Sequence, residues 1–468
     1  MEFREESDSM GSVTVPGWAL WGAGTERCRR NFAKSARSIP FEIIHALGLL
    51  KACCAEVNRD LGKLDPELAG LVVKASEEVS SGRLDNHFPL DLFQTGSGTS
   101  TNMNANEVIA NRANEISGFP RGAKHPIHPN DHVNMGQSSN DVFPSALHLA
   151  VSVFARATLL PQLDLLREAL GEKAGKWDDV VKPGRTHLMD ATPVRMGQVF
   201  SGFSEQVSQG IGRIESALDG LKFLAIGGSA VGTGINTHPE FGSRVAVMLS
   251  DAAGMPFFEA ANHFEAQGSK DALLHYSGAL RTVAASLSKI ANDIRLMASG
   301  PDCGLGELVL PEIQPGSSIM PGKVNPVISE AVVQMSVRII ANDLAATLSD
   351  FGGVGSLLEL NVAMPLMGDA LIESSRLLSE SARLLCEKLL PGLEVDRDRC
   401  ETLAGRSLMA GTRLAPIIGY DRASSLVKRA SSEGISIREA AAGFLAPGEL
   451  EAMFDLKSMT MPGEKRSG

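Results

Sequence analysis

The sequence predicts an all-α, mainly helical protein organised around a central bundle of five long helices. Three observations carry the prediction. Between Gly268 and Ser299, the residues Leu273, Tyr276, Leu280, Val283, Leu287, Ile290, Ile294 and Met297 alternate spacings of three and four. That is the heptad seam of a helix that packs against other long helices rather than on a sheet. Comparable stretches run over 142–176, 195–225, 325–350 and 365–390. Finally, hydrophobic residues make up 43% of the chain and aromatic ones only 5%, so the core is built from Leu, Ile, Val, Ala and Met.

Taken in chain order, the 468 residues suit two or three domains. Residues 1–136 read as a first domain, helical around 41–60 and 66–80 and rich in Gly and Asn from 95 to 140. The bundle occupies 137–392, and "PGLEVDRDRC" then opens a smaller helical domain over 393–468. The seam at 268–299 is longer than one five-helix bundle requires. Helices that also pack between subunits, and hence a homo-oligomer, are expected.

Net charge is −11 and no block of Lys or Arg occurs, which argues against nucleic acid or an anionic membrane surface as partner. The start, "MEFREESDSMG", is acidic and lacks an apolar core, unlike a signal or transit peptide. No run of about 18 apolar residues is evident, so no membrane span is expected. The six cysteines, at 28, 53, 54, 303, 386 and 400, form no CxxC pair. They read as reduced residues of a cytoplasmic protein.

Four polar stretches interrupt the helical pattern: "TGSGTSTNMNANE" (95–107), "HPNDHVNMGQSSND" (128–141), "GRTHLMDATP" (184–193) and "GSSIMPGKVNP" (316–326). Singly, each serves as a helix cap or an Asx turn. Together, their short hydroxyls and amides at helix starts suit the oxygens of a carboxylate, and four of them point to one shared cavity. The last is not a nucleotide loop. Five residues rather than four separate Gly316 from Gly322-Lys323, and Val324 stands where a magnesium-binding hydroxyl is needed. His125, His128 and His132 have helical spacing, but Pro126 and Pro129 interrupt the helix and no further ligand completes a zinc site. No metal is expected. His187, after Arg185 and Thr186, is a candidate acid or base among polar neighbours.

"GSSIMPGKVN" fits the pattern Gly-Ser-x-x-Met-x-x-Lys-x-Asn of the fumarase/aspartase superfamily. "SGTSTNMNANEVIANRA", "HPNDHVNMGQSSNDVFPSALH", "GRTHLMDATP", "GGSAVGTGINTHPEF" and "KIANDIRLMASGP" resemble class II fumarate hydratases in order and spacing over nearly the whole chain. The resemblance implies a homotetramer with a 20-helix core, each active site shared by three subunits, no cofactor, and reversible hydration of fumarate to (S)-malate. It implies that Ser317 takes the proton beside a carboxylate, and that His187, paired with Glu330, orients the water. Ser97, Gly98, Thr99, Ser138, Ser139, Asn140, Thr186, Ser318, Lys323, Val324 and Asn325 match positions that hold the substrate carboxylates. His128, Asn130 and Asp131 match a second dicarboxylate site.

The pattern is departed from at Gly24, where such enzymes commonly have glutamine, and at His125, where a bulkier basic residue is frequent near the second site. Two alternatives share the fold: an aspartate ammonia-lyase, and a catalytically silent structural relative. Aspartases resemble this chain in the serine loop but carry glutamine where His187 stands, and Pro-Ala-Lys where it reads "PGK". Intact Ser317, Lys323 and His187 speak against a silent relative.

Overall fold

A computed structural model describes residues 2–444 and 447–462. Among these, seventeen α-helices account for most of the structure, and the ten short strands form only five two-stranded sheets. The protein is mainly helical, as the periodicity predicts. The long stretches become helices at Ser139–Phe154 continued by Leu160–Lys176, Met196–Leu221, Asp271–Met297, Val327–Asp350 and Met364–Leu384. All eight residues of the heptad seam are buried. Removing each such side chain from water contributes roughly 1.5–3 kcal/mol, so the seam alone fixes the path of its helix.

The chain divides into two compact units, each assembled from three separate stretches. The first comprises Met1–Pro161, Gly212–Ala284 and Met335–Ser379. Here the helices Phe41–Asp60 and Pro66–Ser80 form an antiparallel pair. Asp65 starts the second of them by accepting the backbone N–H groups of Glu67 and Leu68, and Pro66 occupies the first turn, where its missing N–H costs nothing. Polar links join the long helices across their buried faces: Tyr276 Oη to Ser375 Oγ at 2.9 Å, and Ser277 Oγ to Asp343 Oδ1 at 2.8 Å. An N-terminal hairpin, Phe3–Asp8 against Gly11–Pro16, has no counterpart in the sequence expectation; its charged residues hide the alternation that marks a strand.

The second unit comprises Gln162–Ile211, Ala285–Gln334 and Glu380–Gly468. Its distinctive element is a hairpin, Val181–Thr186 against Met189–Arg195, on which the helix Arg397–Arg406 packs. Near the C-terminus, Leu414, Leu426, Ala430, Ile437 and Ala441 form a small apolar core of their own.

Two helices exceed the expectation that no apolar run could cross a bilayer. Ser139–Lys176 and Val327–Asp350 reach mean hydropathies of 1.4 and 1.2 over 18 residues. Ala-rich bundle helices with few charges arrive at such values without any membrane. The first is largely buried within the protein, but only 33% of the second is. Val337, Ile340, Leu344 and Leu348, followed by Phe351, leave an exposed apolar stripe along it.

Candidate active site

In the first unit, two helix starts carry the candidate carboxylate ligands. The helix Thr99–Ile116 begins after Gly98, whose φ of 71° lies in the left-handed region. A side chain there would also collide with the Phe143 ring, so only glycine fits. Ser97 Oγ and Thr99 Oγ1 share a hydrogen bond of 2.7 Å. The helix Ser139–Phe154 opens with a capping box: the Asn140 N–H donates to Ser138 Oγ, and the Ser138 N–H donates to Asp141 Oδ1. Asp141 Oδ2 also accepts the N–H groups of Gly227 and Ser229 at 3.2 and 2.9 Å. Asn102 Nδ2 donates to Ser139 Oγ at 3.1 Å, which brings the two helix starts together. Asn140 Nδ2 is tied to the Ala230 carbonyl at 2.7 Å.

The second-site candidates lie just before that helix. His128 Nδ1 accepts the N–H groups of Asn130 and Asp131 at 3.3 and 3.2 Å, capping the turn Pro129–Val133. His128 and Asn130 line a cleft of about 370 Å³ with Lys124, Glu6, Asp8 and Glu107. His125 is not among the lining residues. Burial pushes the Glu107 carboxyl upward, although the N–H groups of Gly22, Gly24 and Thr25 all donate to it.

In the second unit, Thr186 and His187 sit at the tip of the Val181–Arg195 hairpin, an element that the sequence reading missed. His187 and Leu188 form its two-residue turn, with φ of 57° and 62°. Such turns ordinarily take Asn-Gly, because bulky residues are strained at positive φ. Both side chains are exposed. The strand beneath is held by Glu307, which is fully buried. Arg185 Nη1 reaches Glu307 Oε1 at 2.8 Å, and Lys182 Nζ lies 3.2 Å from Oε2. Burial lowers Lys182 below the ordinary lysine range, against the pull of Glu307.

The loop 316–326 closes on itself: Asn325 Nδ2 donates to the Gly316 carbonyl at 2.6 Å, and a side chain at Gly316 would strike the Lys323 carbonyl. Ser317 Oγ accepts two backbone N–H groups, those of Ile319 at 3.2 Å and Met320 at 3.1 Å. Donors aimed at a hydroxyl oxygen favour its alkoxide form. Lys323 and Val324 line the same cleft of about 510 Å³ as Ser317. Ser318 is exposed, as is Glu330 on the first turn of the helix Val327–Asp350. Within one chain, among the described residues, no hydrogen bond or ion pair joins His187, Glu330 and Ser317.

Sequence reasoning also missed the supports: Glu307 beneath the hairpin, and Asn102, Asn134 and Asp141 beneath the helix starts. The only signal was the density of Asn in 95–141.

Residues 11–341 match the family model described as Lyase, and residues 412–461 match one described as Fumarase C C-terminus. The class II fumarate hydratase of Nitrosomonas europaea is 48% identical over 461 residues, covering 98% of this chain and 99% of that protein. That of Corynebacterium glutamicum is 50% identical over 441 residues, covering 94% and 91%. The crystal structure of a class II fumarase from Schistosoma mansoni superposes with a TM-score of 0.96 at 37% identity, covering 99% of this chain and 100% of that one. A fumarate lyase:delta crystallin from Brucella melitensis, bound to cobalt, gives 0.94 at 39% identity over 98% and 100% of the two chains. The chain belongs to the class II fumarate hydratase family of lyases.

Proposed function

We propose that the protein catalyses the reversible hydration of fumarate to (S)-malate, a step of the tricarboxylic acid cycle, as a cytoplasmic homotetramer with active sites shared by three subunits and without metal or cofactor. In the malate direction of dehydration, Ser317 Oγ removes the proton from the carbon next to a carboxylate. That carboxyl then carries close to two negative charges, for which Lys323, Asn325 and the loop N–H groups are the nearby donors; losing one such donor typically costs about 3 kcal/mol. His187, paired with Glu330 of another copy, passes a proton through water to the departing hydroxide. Ser97, Thr99, Ser138, Ser139, Asn140, Thr186 and Ser318 hold the two carboxylates.

The observation that carries this reading is Ser317: its oxygen receives two backbone N–H groups inside a closed loop that also holds Lys323. Assembly is supported by the apolar stripe Val337–Phe351, whose exposure a partner helix would end. All six cysteines are free, in keeping with a reducing compartment. Fumarate absorbance should appear on adding malate, whereas aspartate should release no ammonia. Ammonia release at a comparable rate would assign the chain to the ammonia-lyases instead.

A further inference from the structure

Among the buried charges that the mechanism leaves unused is Lys51. Lys51, on the helix Phe41–Asp60, is fully buried, and among the described residues no carboxylate lies within ion-pair distance of it. Its ammonium donates instead to two neutral amide oxygens, Asn134 Oδ1 and Gln137 Oε1, each at 2.9 Å. Gln137 immediately precedes the Ser138 cap. Asn134 Oδ1 also accepts the amides of Asn102 and Asn106 at 3.3 and 3.2 Å, and Asn102 continues to Ser139 Oγ at 3.1 Å. Two routes therefore run from one ammonium to the Ser138–Asn140 helix start.

Holding amide oxygens requires only a neutral donor. An ammonium adds a field, and in a low-dielectric interior a charge without a contacting counterion acts over several ångströms. The helix start already favours anions through its dipole; a positive charge tied to it through Gln137 and through Asn134 and Asn102 adds to the same preference. We infer that Lys51 is a positioning residue for the dicarboxylate: it fixes the segment Asn134–Ser139 and sets the affinity for the substrate's charge. The inference rests on the hydratase reading of Ser138–Asn140.

Two titratable groups act on Lys51, Cys54 on its own helix and Asp141 on the Ser139 helix. Burial keeps the Cys54 thiol protonated. Burial also brings Lys51 down to about 8 and pushes Asp141 up to about 7, against its three N–H donors. At a pH below both values the pair carries one positive charge. Above both, it carries one negative charge. Affinity for a dianion should thus fall steadily as pH rises through this window.

Succinate, a dicarboxylate with no leaving group, provides the probe. It is titrated calorimetrically into the wild-type protein, Lys51→Gln and Lys51→Met between about pH 6 and about pH 9, alongside malate kinetics. Both variants should bind succinate at least about tenfold more weakly at the acid end. Their KM should rise by a similar factor, with kcat within about threefold, and their affinity should fall across the window by one charge step, that of Asp141, where the wild type loses two. Folded variants that bind succinate as the wild type does at the acid end, or that keep the full wild-type fall, overturn the inference. Should neither variant fold, a wild-type affinity that stays flat across the window overturns it. Wild-type binding without malate turnover rejects the hydratase reading but leaves the Lys51 comparison standing; no binding rejects both.

Discussion

The two halves of the candidate site are built in opposite ways. The helix starts at Ser97–Thr99 and Ser138–Asn140 rest on buried polar groups of a single unit: Lys51, Asn134 and Asn102 form a chain of hydrogen bonds to Ser139, and Asp141 is held by the N–H groups of Ser138 and Ser229. The hairpin tip, the serine loop and the helix that follows it carry exposed side chains, those of His187, Ser318 and Glu330. Binding groups are thus fixed by the chain's own interior. Of the groups proposed for proton transfer, His187 and Glu330 end in exposed side chains, while Ser317 Oγ is held by two N–H groups of its own loop.

The largest effect that would sharpen this contrast is expected at the open half. Ser317→Ala should lower turnover in both directions by roughly a hundredfold to ten-thousandfold, the usual range for a lost general base, while the melting temperature stays put because the loop is outside the helical seam. Turnover above a tenth of wild type would show that the serine is not the base. His187→Asn should come next, with kcat down by about a hundredfold or more. His128→Asn, whose ring caps a turn beside the other cleft, should change kcat by no more than about threefold; equal losses would merge the two histidine segments into one site.

Beneath the hairpin, Glu307→Gln should destabilise the fold by about 3–5 kcal/mol, because Lys182 and Arg185 lose their buried counter-charge. Denaturant unfolding measures this, and a loss below about 1 kcal/mol would show that water already screens the cluster. The smallest effect is expected from EDTA: among the described residues no three His, Cys, Asp or Glu side chains gather as a metal would need. Activity lost to the chelator and restored by a divalent ion, such as the cobalt carried by the Brucella relative, would overturn metal independence.

The helices were legible because burying one face of a helix imposes a spacing of three and four, visible from Leu273 to Met297. The polar segments were legible as composition, and two of them prove to be helix starts, at Thr99 and Ser139. The hairpin was not, because Pro183, Gly184 and Pro193 mask the alternation of its strands. Nor were Lys51 and Glu307. In a sequence, a buried charge looks the same as a surface one, and only the fold shows which carboxylates and ammoniums have lost their water.

The turn at His187–Leu188 carries a consequence for engineering and for drift alike. Its left-handed backbone would be relaxed by Asn-Gly, the pair that any search for thermal stability would favour there. The same exchange would remove the imidazole. On the acid–base role proposed for His187, stabilising selection and catalytic selection pull position 187 in different directions, and a thermostable variant evolved without an activity screen is expected to lose its chemistry at this turn first.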